Sequence, residues 1–263
     1  MPEGPEIRIM SHFINEKSVD RIYKDLFFVE KGNIPTVCEE INNFRLTSSS
    51  SGKSLKLCLI GETTSKLSVF MGMSGNWKFV RTENWDLTKF VRMRIDSNDG
   101  MSLLLYGGYL GPKYKIGDFS GVKRGPDIID EFHLFKMNIL SNLYRSHFDG
   151  HICDVILDQR YFNGIGNYLR STILYYMDKN PFMCSRDYIN RYPNFFDMCR
   201  DTQIKSYDLN GGQIKDWDNP FNVDRNDFKN WVFYQKGSSC KDSSGRTFWF
   251  DDKWDSPYKK IIK

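Results

Sequence analysis

Alternation is the feature that most narrows what this chain can become. Leu55, Leu57 and Leu59 are interleaved with Lys56 and Cys58, and Val91, Met93 and Ile95 with Arg92, Arg94 and Asp96. A period of two places apolar side chains on one face of an extended strand and polar ones on the other. The runs LSVFMGM and MSLLLYGG add short apolar stretches closed by glycine and polar turns. Several short strands so spaced suggest a β-sandwich or barrel. One helix precedes them. Ile7, Met10, Phe13 and Ile14 share a helical face, and Pro5 and Glu6 suit its first turn through a fixed φ and the helix dipole.

After GVKRGPDIIDE (121–131), whose turn residues and charges mark a hinge, the period changes. LFKMNILSNLYRSHF, HICDVILDQRYF, NYLRSTILYYM and PNFFDMCRDTQIKSYDL carry apolar residues three and four apart, the spacing of helices. VFYQKGSSCKDSSGRTFWF then reads as two short strands around a Ser-Ser-Gly turn, a β-hairpin. At 263 residues the chain has room for two modest domains or one large one.

Composition excludes several classes. With 40% apolar and 15% aromatic residues the chain is globular rather than disordered. No apolar run approaches the roughly 18–20 residues that span a bilayer, and no h-region follows a basic start, so an intracellular protein without membrane contact is expected. Six cysteines (38, 58, 153, 184, 199, 240) include no C-x₂-C pair, and four histidines fall in no ligand pattern. Free thiols, no metal and no cofactor are expected. The net charge is +4, and residues 229–263 hold eight basic against four acidic residues, a surplus equal to that of the whole chain. A basic end on an otherwise neutral chain suits a polyanion such as a nucleic acid, although a solvated tail has the same composition.

Five stretches could carry chemistry. Pro2 follows the initiator methionine, with Glu3 and Glu6 close behind. Removal of Met1 would leave a secondary amine, a nucleophile able to form an iminium with an electrophilic carbon, and a neighbouring carboxylate could handle protons. An ordinary proline-rich start is the plain alternative. NGIGN (163–167) sets two glycines before an apolar helix, with Asn167 as the expected N-cap and backbone N–H groups facing an anion. SGKSLKL puts Lys53 at the mouth of a strand, and GMSGNW puts Met73 in a glycine-flanked turn, where an apolar side chain is costly unless it inserts into something. GRTFWF sets Arg246 at the hairpin tip.

In this order, PEGPE, GK before a strand, GMSG, DQRYFNGIGNYLR and a cysteine-free GRTFWF resemble the formamidopyrimidine-DNA glycosylase/endonuclease VIII (Fpg/Nei) family of base-excision repair enzymes, and its endonuclease VIII-like members with a zincless finger most of all. The resemblance implies an α+β fold: an N-terminal helix and two-layer β-sandwich (1–124), a hinge linker (125–135), and a helix-two-turn-helix domain (136–263) ending in a zincless finger at about 231–251. It implies a bifunctional DNA glycosylase/AP lyase acting on oxidised bases in damaged double-stranded DNA, with single-stranded or bubble DNA as further candidates, and a monomer.

By the same resemblance, Pro2 attacks C1′ and Glu3 protonates the ring oxygen. Glu6 supports the pocket, Lys53 serves glycosylase and β-elimination chemistry, and Asn167 and Arg246 hold phosphates. Met73 fills the gap left by the flipped base. The family's arginine and phenylalanine for the opposite strand are missing from YGGYLG (106–111), where Tyr109 and Leu110 are the substitutes and a glycine stands for the arginine. Thr172 replaces a glutamate in the motif helix. Two rivals stay open: a catalytically silent nucleic-acid-binding protein with the same helical module, and a β-rich interaction module with a basic tail.

Overall fold

In the computed structural model, residues 1–29, 36–37, 43–84, 90–108, 111–117, 123–212 and 219–258 are described. The first helix, α1 (Gly4–Ser18), starts behind Glu3, whose extended backbone (φ −108°, ψ −172°) ends the helix on that side. Its expected apolar face is realised: Ile7, Met10, Phe13 and Ile14 are all buried. Asn15 fixes the helix to the strand beneath it. Its amide donates to the Ser48 carbonyl at 2.9 Å and accepts from the Ser48 N–H at 2.6 Å.

The strands are β1 (Tyr23–Phe28), β2 (Thr36–Val37), β3 (Arg45–Ser51), β4 (Ser54–Ile60), β5 (Thr64–Phe70), β6 (Asn76–Arg81), β7 (Val91–Ser97), β8 (Met101–Tyr106) and β9 (Lys113–Ile116). They form two antiparallel sheets, ordered β2-β1-β7-β8-β6 and β3-β4-β5-β9. Alternation fixes which face is buried. Leu55, Leu57 and Leu59 on β4 are at most 1% exposed while Lys56 and Ile60 face outward. Each such leucine contributes about 1.5–3 kcal/mol of burial. A bridge between Tyr23 and Phe44 joins β1 to the start of β3, and the rings of Phe28 and Tyr114 stack at 4.6 Å between β1 and β9. These contacts tie one sheet to the other in a sandwich.

Asp96 departs from the alternation. It is buried because Arg94 reaches its Oδ2 at 2.6 Å and the Ser102 hydroxyl its Oδ1 at 2.6 Å. A buried carboxylate so paired avoids the cost of an uncompensated charge.

By contacts the chain divides into two units, Met1–Val122 with Asn210–Arg225, and Lys123–Leu209 with Asn226–Lys263. The first unit is therefore built from two separate stretches. The second holds α2 (Phe132–Leu140), α3 (Ile152–Val155), α4 (Asn167–Met177), α5 (Ser185–Arg191), α6 (Phe195–Asp208) and α7 (Asn226–Trp231). Its core is aromatic, with Phe135, Phe148, Phe162, Tyr188, Phe195 and Phe248 fully enclosed. The stretch expected to be a hinge is well bonded: Gly125 donates to the Gln159 carbonyl, and Asp127 accepts from Ile129 and Asp130 before α2 begins. The hairpin forms as expected, β10 (Ser238–Lys241) pairing with β11 (Thr247–Phe250) and Gly245 in its turn. Among the described residues no helix is long and apolar enough to cross a membrane.

Candidate catalytic and nucleic-acid site

The candidates fall into two groups, one in each unit. In the first, Pro2 is buried behind a half-exposed Met1. Its nitrogen is an amide while Met1 is attached, and becomes a secondary amine once Met1 is removed. Glu3 and Glu6 are 2% and 1% exposed and face each other across the first turn in a capping box. The Glu6 carboxylate is shared between two backbone donors. Oε2 accepts from the Glu3 N–H at 2.7 Å, and Oε1 accepts from the Gly212 N–H at 2.7 Å. Both bonds have the short length of charge-assisted pairs, and the carboxylate also sits at the positive end of the helix dipole. Glu6 therefore holds the two residues ahead of α1 in place.

Gly212 reaches Glu6 because the returning segment docks on α1. Asn219 donates to the Asn210 carbonyl at 2.9 Å, and Phe221 meets Phe13 edge to face at 5.4 Å. Gly211 has φ +70°, and a Cβ there would lie 2.8 Å from Ile9 Cδ1 and 2.9 Å from Glu6 Oε1. Only glycine combines that backbone with that proximity. The sequence pattern did not single out these two glycines; an Asn-Gly-Gly turn was the available signal.

Lys53 is half-buried in the two-residue turn between β3 and β4. Gly52 precedes it at φ +50°, the first central position of a type II′ hairpin turn. Met73 is 43% exposed at the tip of the β5–β6 turn. That turn closes through Gly75 N–H to the Met71 carbonyl at 2.8 Å. Ser74 Oγ accepts from the Gly108 N–H at 3.0 Å, which bonds the Met73 turn to the loop after β8. Tyr109 and Leu110 lie outside the described residues.

In the second unit, NGIGN is clamped by Gln159. Its amide donates to the carbonyls of Leu157 and Ile165 and accepts from the Gly164 N–H at 3.1 Å. The N-cap of α4 is Gly166, and Asn167 is the first helical residue, a correction to the expected cap. The Asn167 side chain leaves the helix instead. Its Nδ2 donates to the Thr247 carbonyl at 2.7 Å and approaches the Tyr234 hydroxyl at 3.5 Å. Thr172, the departure noted in the motif helix, bonds back to the Tyr168 carbonyl at 2.8 Å.

Arg246 is exposed in the hairpin turn, and its guanidinium makes no hydrogen bond or ion pair among the described residues. Nearby, Arg170 is fully buried and pairs with Asp242 at 2.7 Å, a partner sequence reasoning missed because an arginine in an apolar helix reads as a surface cation. Removing one member of such a pair costs about 3–5 kcal/mol. Arg246 also borders a cavity of about 520 Å³ lined by His147, His151, Asp154, Asp158 and Tyr258. Burial raises the Tyr258 hydroxyl pKa, helped by its hydrogen bond to Asp154 at 2.6 Å. Burial alone would raise the Asp158 carboxyl, but hydrogen bonds and charge from Arg160, with His147 at 3.1 Å, bring it below its ordinary value. No group of metal-ligating side chains occurs among the described residues.

No family model matches the chain. Endonuclease 8-like 1 of Homo sapiens is 30% identical over 295 aligned residues, covering 95% of this chain and 72% of that protein. Endonuclease 8-like 1 of Mus musculus is 34% identical over 199 residues, 71% of this chain and 50% of that protein. Endonuclease 8 of Escherichia coli K12 is 27% identical over 183 residues, 66% of this chain and 67% of its own length. Among solved structures, the MutM (Fpg) protein of Thermus thermophilus superposes with a TM-score of 0.76 at 16% identity, covering 95% of this chain and 97% of that one. The LlFpg protein in complex with THF-DNA and an inhibitor superposes at 0.75, also at 16% identity, covering 95% and 98%. These two share the fold. With the identity and coverage of the human relative, the chain belongs to the Fpg/Nei family of DNA glycosylase/AP lyases.

Proposed function

We propose that this protein is a bifunctional DNA glycosylase/AP lyase that excises oxidised bases, pyrimidines and hydantoins foremost, and cuts the strand by β,δ-elimination. Removal of Met1 frees the Pro2 amine, whose reference pKa of roughly 8 leaves a useful fraction unprotonated near neutrality. The nitrogen bonds to C1′ as the glycosidic bond breaks, and the base departs with that electron pair and takes up a proton. The amine then loses its own proton, the C1′–O4′ bond opens as the C1′=N iminium forms, and Glu3 supplies the proton that O4′ gains. Loss of a C2′ proton expels the 3′-phosphate, and a second elimination expels the 5′-phosphate. Water hydrolyses the iminium and restores the amine.

Lys53 serves base release and β-elimination, and Glu6 holds Glu3 in place. Asn167 and Arg246 grip phosphates, Asn167 with its amide already engaged to Thr247, so that the backbone at the start of α4 supplies the nearest N–H groups. Met73 enters the gap left when the damaged base leaves the stack, at a cost of a few kcal/mol that is smallest for damaged bases. Tyr109 and Leu110 stand in for the family's opposite-strand residues. The protein works as a monomer, without a cofactor, on damaged double-stranded DNA and, where a strand is already open, on single-stranded or bubble DNA, inside the cell wherever DNA is repaired.

The observation that supports this reading most is the buried Glu6 carboxylate, whose two backbone hydrogen bonds fix the residues ahead of α1 where the nucleophile stands. Borohydride reduction tests it. Processed protein should form a covalent complex with DNA carrying an oxidised pyrimidine or an abasic site, with the adduct on Pro2 by mass spectrometry. Protein that retains Met1 should form none. Equal trapping by both forms refutes the mechanism, and DNA binding with no trapping by either supports the catalytically silent rival.

A further inference from the structure

We propose that Arg170 is the positioning residue for the phosphate-contacting tip of the hairpin, an inference that rests on the nucleic-acid reading above. A hairpin with two four-residue strands is marginal by itself, so something must fix its tip. The exposed Arg246 guanidinium has no partner of its own among the described residues, and its place is set through its backbone. That backbone is held at Asp242: Oδ1 accepts from the N–H groups of Arg246 at 2.8 Å and Ser244 at 3.0 Å, and the Asp242 N–H donates to the Arg246 carbonyl at 2.9 Å. The other oxygen, Oδ2, takes Arg170 Nη1 at 2.7 Å.

The two Nη groups of the same guanidinium also reach the surrounding elements. Nη1 also donates to the Cys153 carbonyl on α3 at 3.0 Å, and Nη2 donates to Asn167 Oδ1 and, at 3.3 Å, to the Thr247 carbonyl. By accepting from Arg170, Asn167 Oδ1 leaves Nδ2 to donate to Thr247. One buried side chain thus joins α3, α4, the hairpin turn and β11. It also lies over the Phe248 ring at 4.8 Å. A buried ion pair is a poor source of net stability, whereas a planar fork with fixed donor directions is well suited to setting geometry. Arg170 is 0% exposed, so it acts on DNA only through Asn167 and Arg246.

Packing and positioning both predict a lower melting temperature, so the discriminating measurement is the salt dependence of binding to a short duplex containing a tetrahydrofuran abasic analogue. Each phosphate contact contributes about 0.9 to the slope of log K against log salt. Arg246→Ala should lower the slope by about one such contact, and Arg170→Met, which removes no exposed charge, should lower it equally. R170M/R246A should lose no more than either alone. Because Arg170→Met strands the Asp242 carboxylate, R170M/D242N is the second variant: it keeps an Oδ1 acceptor for the turn and is expected to fold and to show the same reduced slope. Arg170→Lys, whose ammonium cannot span the four acceptors, should not restore it. A wild-type slope in either folded Arg170 variant overturns the proposal, as do losses that add in R170M/R246A. Borohydride trapping is separate: a protein with this binding pattern that never traps keeps its positioning arginine and loses the enzyme reading.

Discussion

Glu6→Gln would disturb the catalytic end while leaving its shape almost unchanged. The carboxylate accepts two backbone N–H groups, from Glu3 and Gly212, each at 2.7 Å. A glutamine offers one carbonyl oxygen and one NH₂, so whichever way it turns, one backbone N–H faces another donor. Losing a hydrogen bond to a charged acceptor costs about 1.5–3 kcal/mol. At roughly 2–4 °C per kcal/mol for a chain of this size, the melting temperature should fall by about 3–12 °C. If the lost bond is the one to Glu3, Pro2 and Glu3 drift, and a displacement of about 1 Å can cost on the order of 10²-fold in rate. Thermal melts and single-turnover borohydride trapping on abasic DNA read both effects. The pH profile of trapping should keep its shape, because Glu6 holds the site and transfers no proton. An E6Q protein that melts and traps like the wild type would refute the reasoning, and a changed pH profile would show Glu6 to be an acid or base.

Lys53→Met should lose on the order of 10²-fold in base release measured on a lesion-bearing duplex. Met73→Ala removes a side chain that is 43% exposed, so stability should hold while excision falls on duplex DNA and stays level on single strands. Asp158→Asn tests the second unit's acid sensitivity. Its folded pKa lies below the ordinary 3.8, so its stabilisation is present above that value and drains away as pH falls through the folded one. Melts taken from pH 5 downward should lose less stability in D158N than in the wild type.

What the sequence revealed followed from simple periods. The leucines of β4 and the Ser-Ser-Gly hairpin turn are local signals, and both elements lie where the pattern placed them. Partnerships across long separations are not local signals. Nothing near Glu6 announces that its second hydrogen bond comes from Gly212, and nothing in NYLRSTILYYM marks Arg170 as buried rather than solvated. Gly-Asn supports a cap at either residue, and Gly166 takes the extended cap conformation while Asn167 turns to Thr247. Pro2, Glu3 and Lys53 belong to the first unit and Arg246 to the second, so no local period connects them.

The return of Asn210–Arg225 to the first unit means that no single proteolytic cut can release both units whole. A fragment ending at Leu209 would leave the Glu6 carboxylate without the Gly212 donor. A nascent chain meets the same problem in time, because Gly212 emerges from the ribosome 206 residues after Glu6. At about 5–20 residues per second that interval is roughly 10–40 s, during which the Glu6 carboxylate lacks the Gly212 donor.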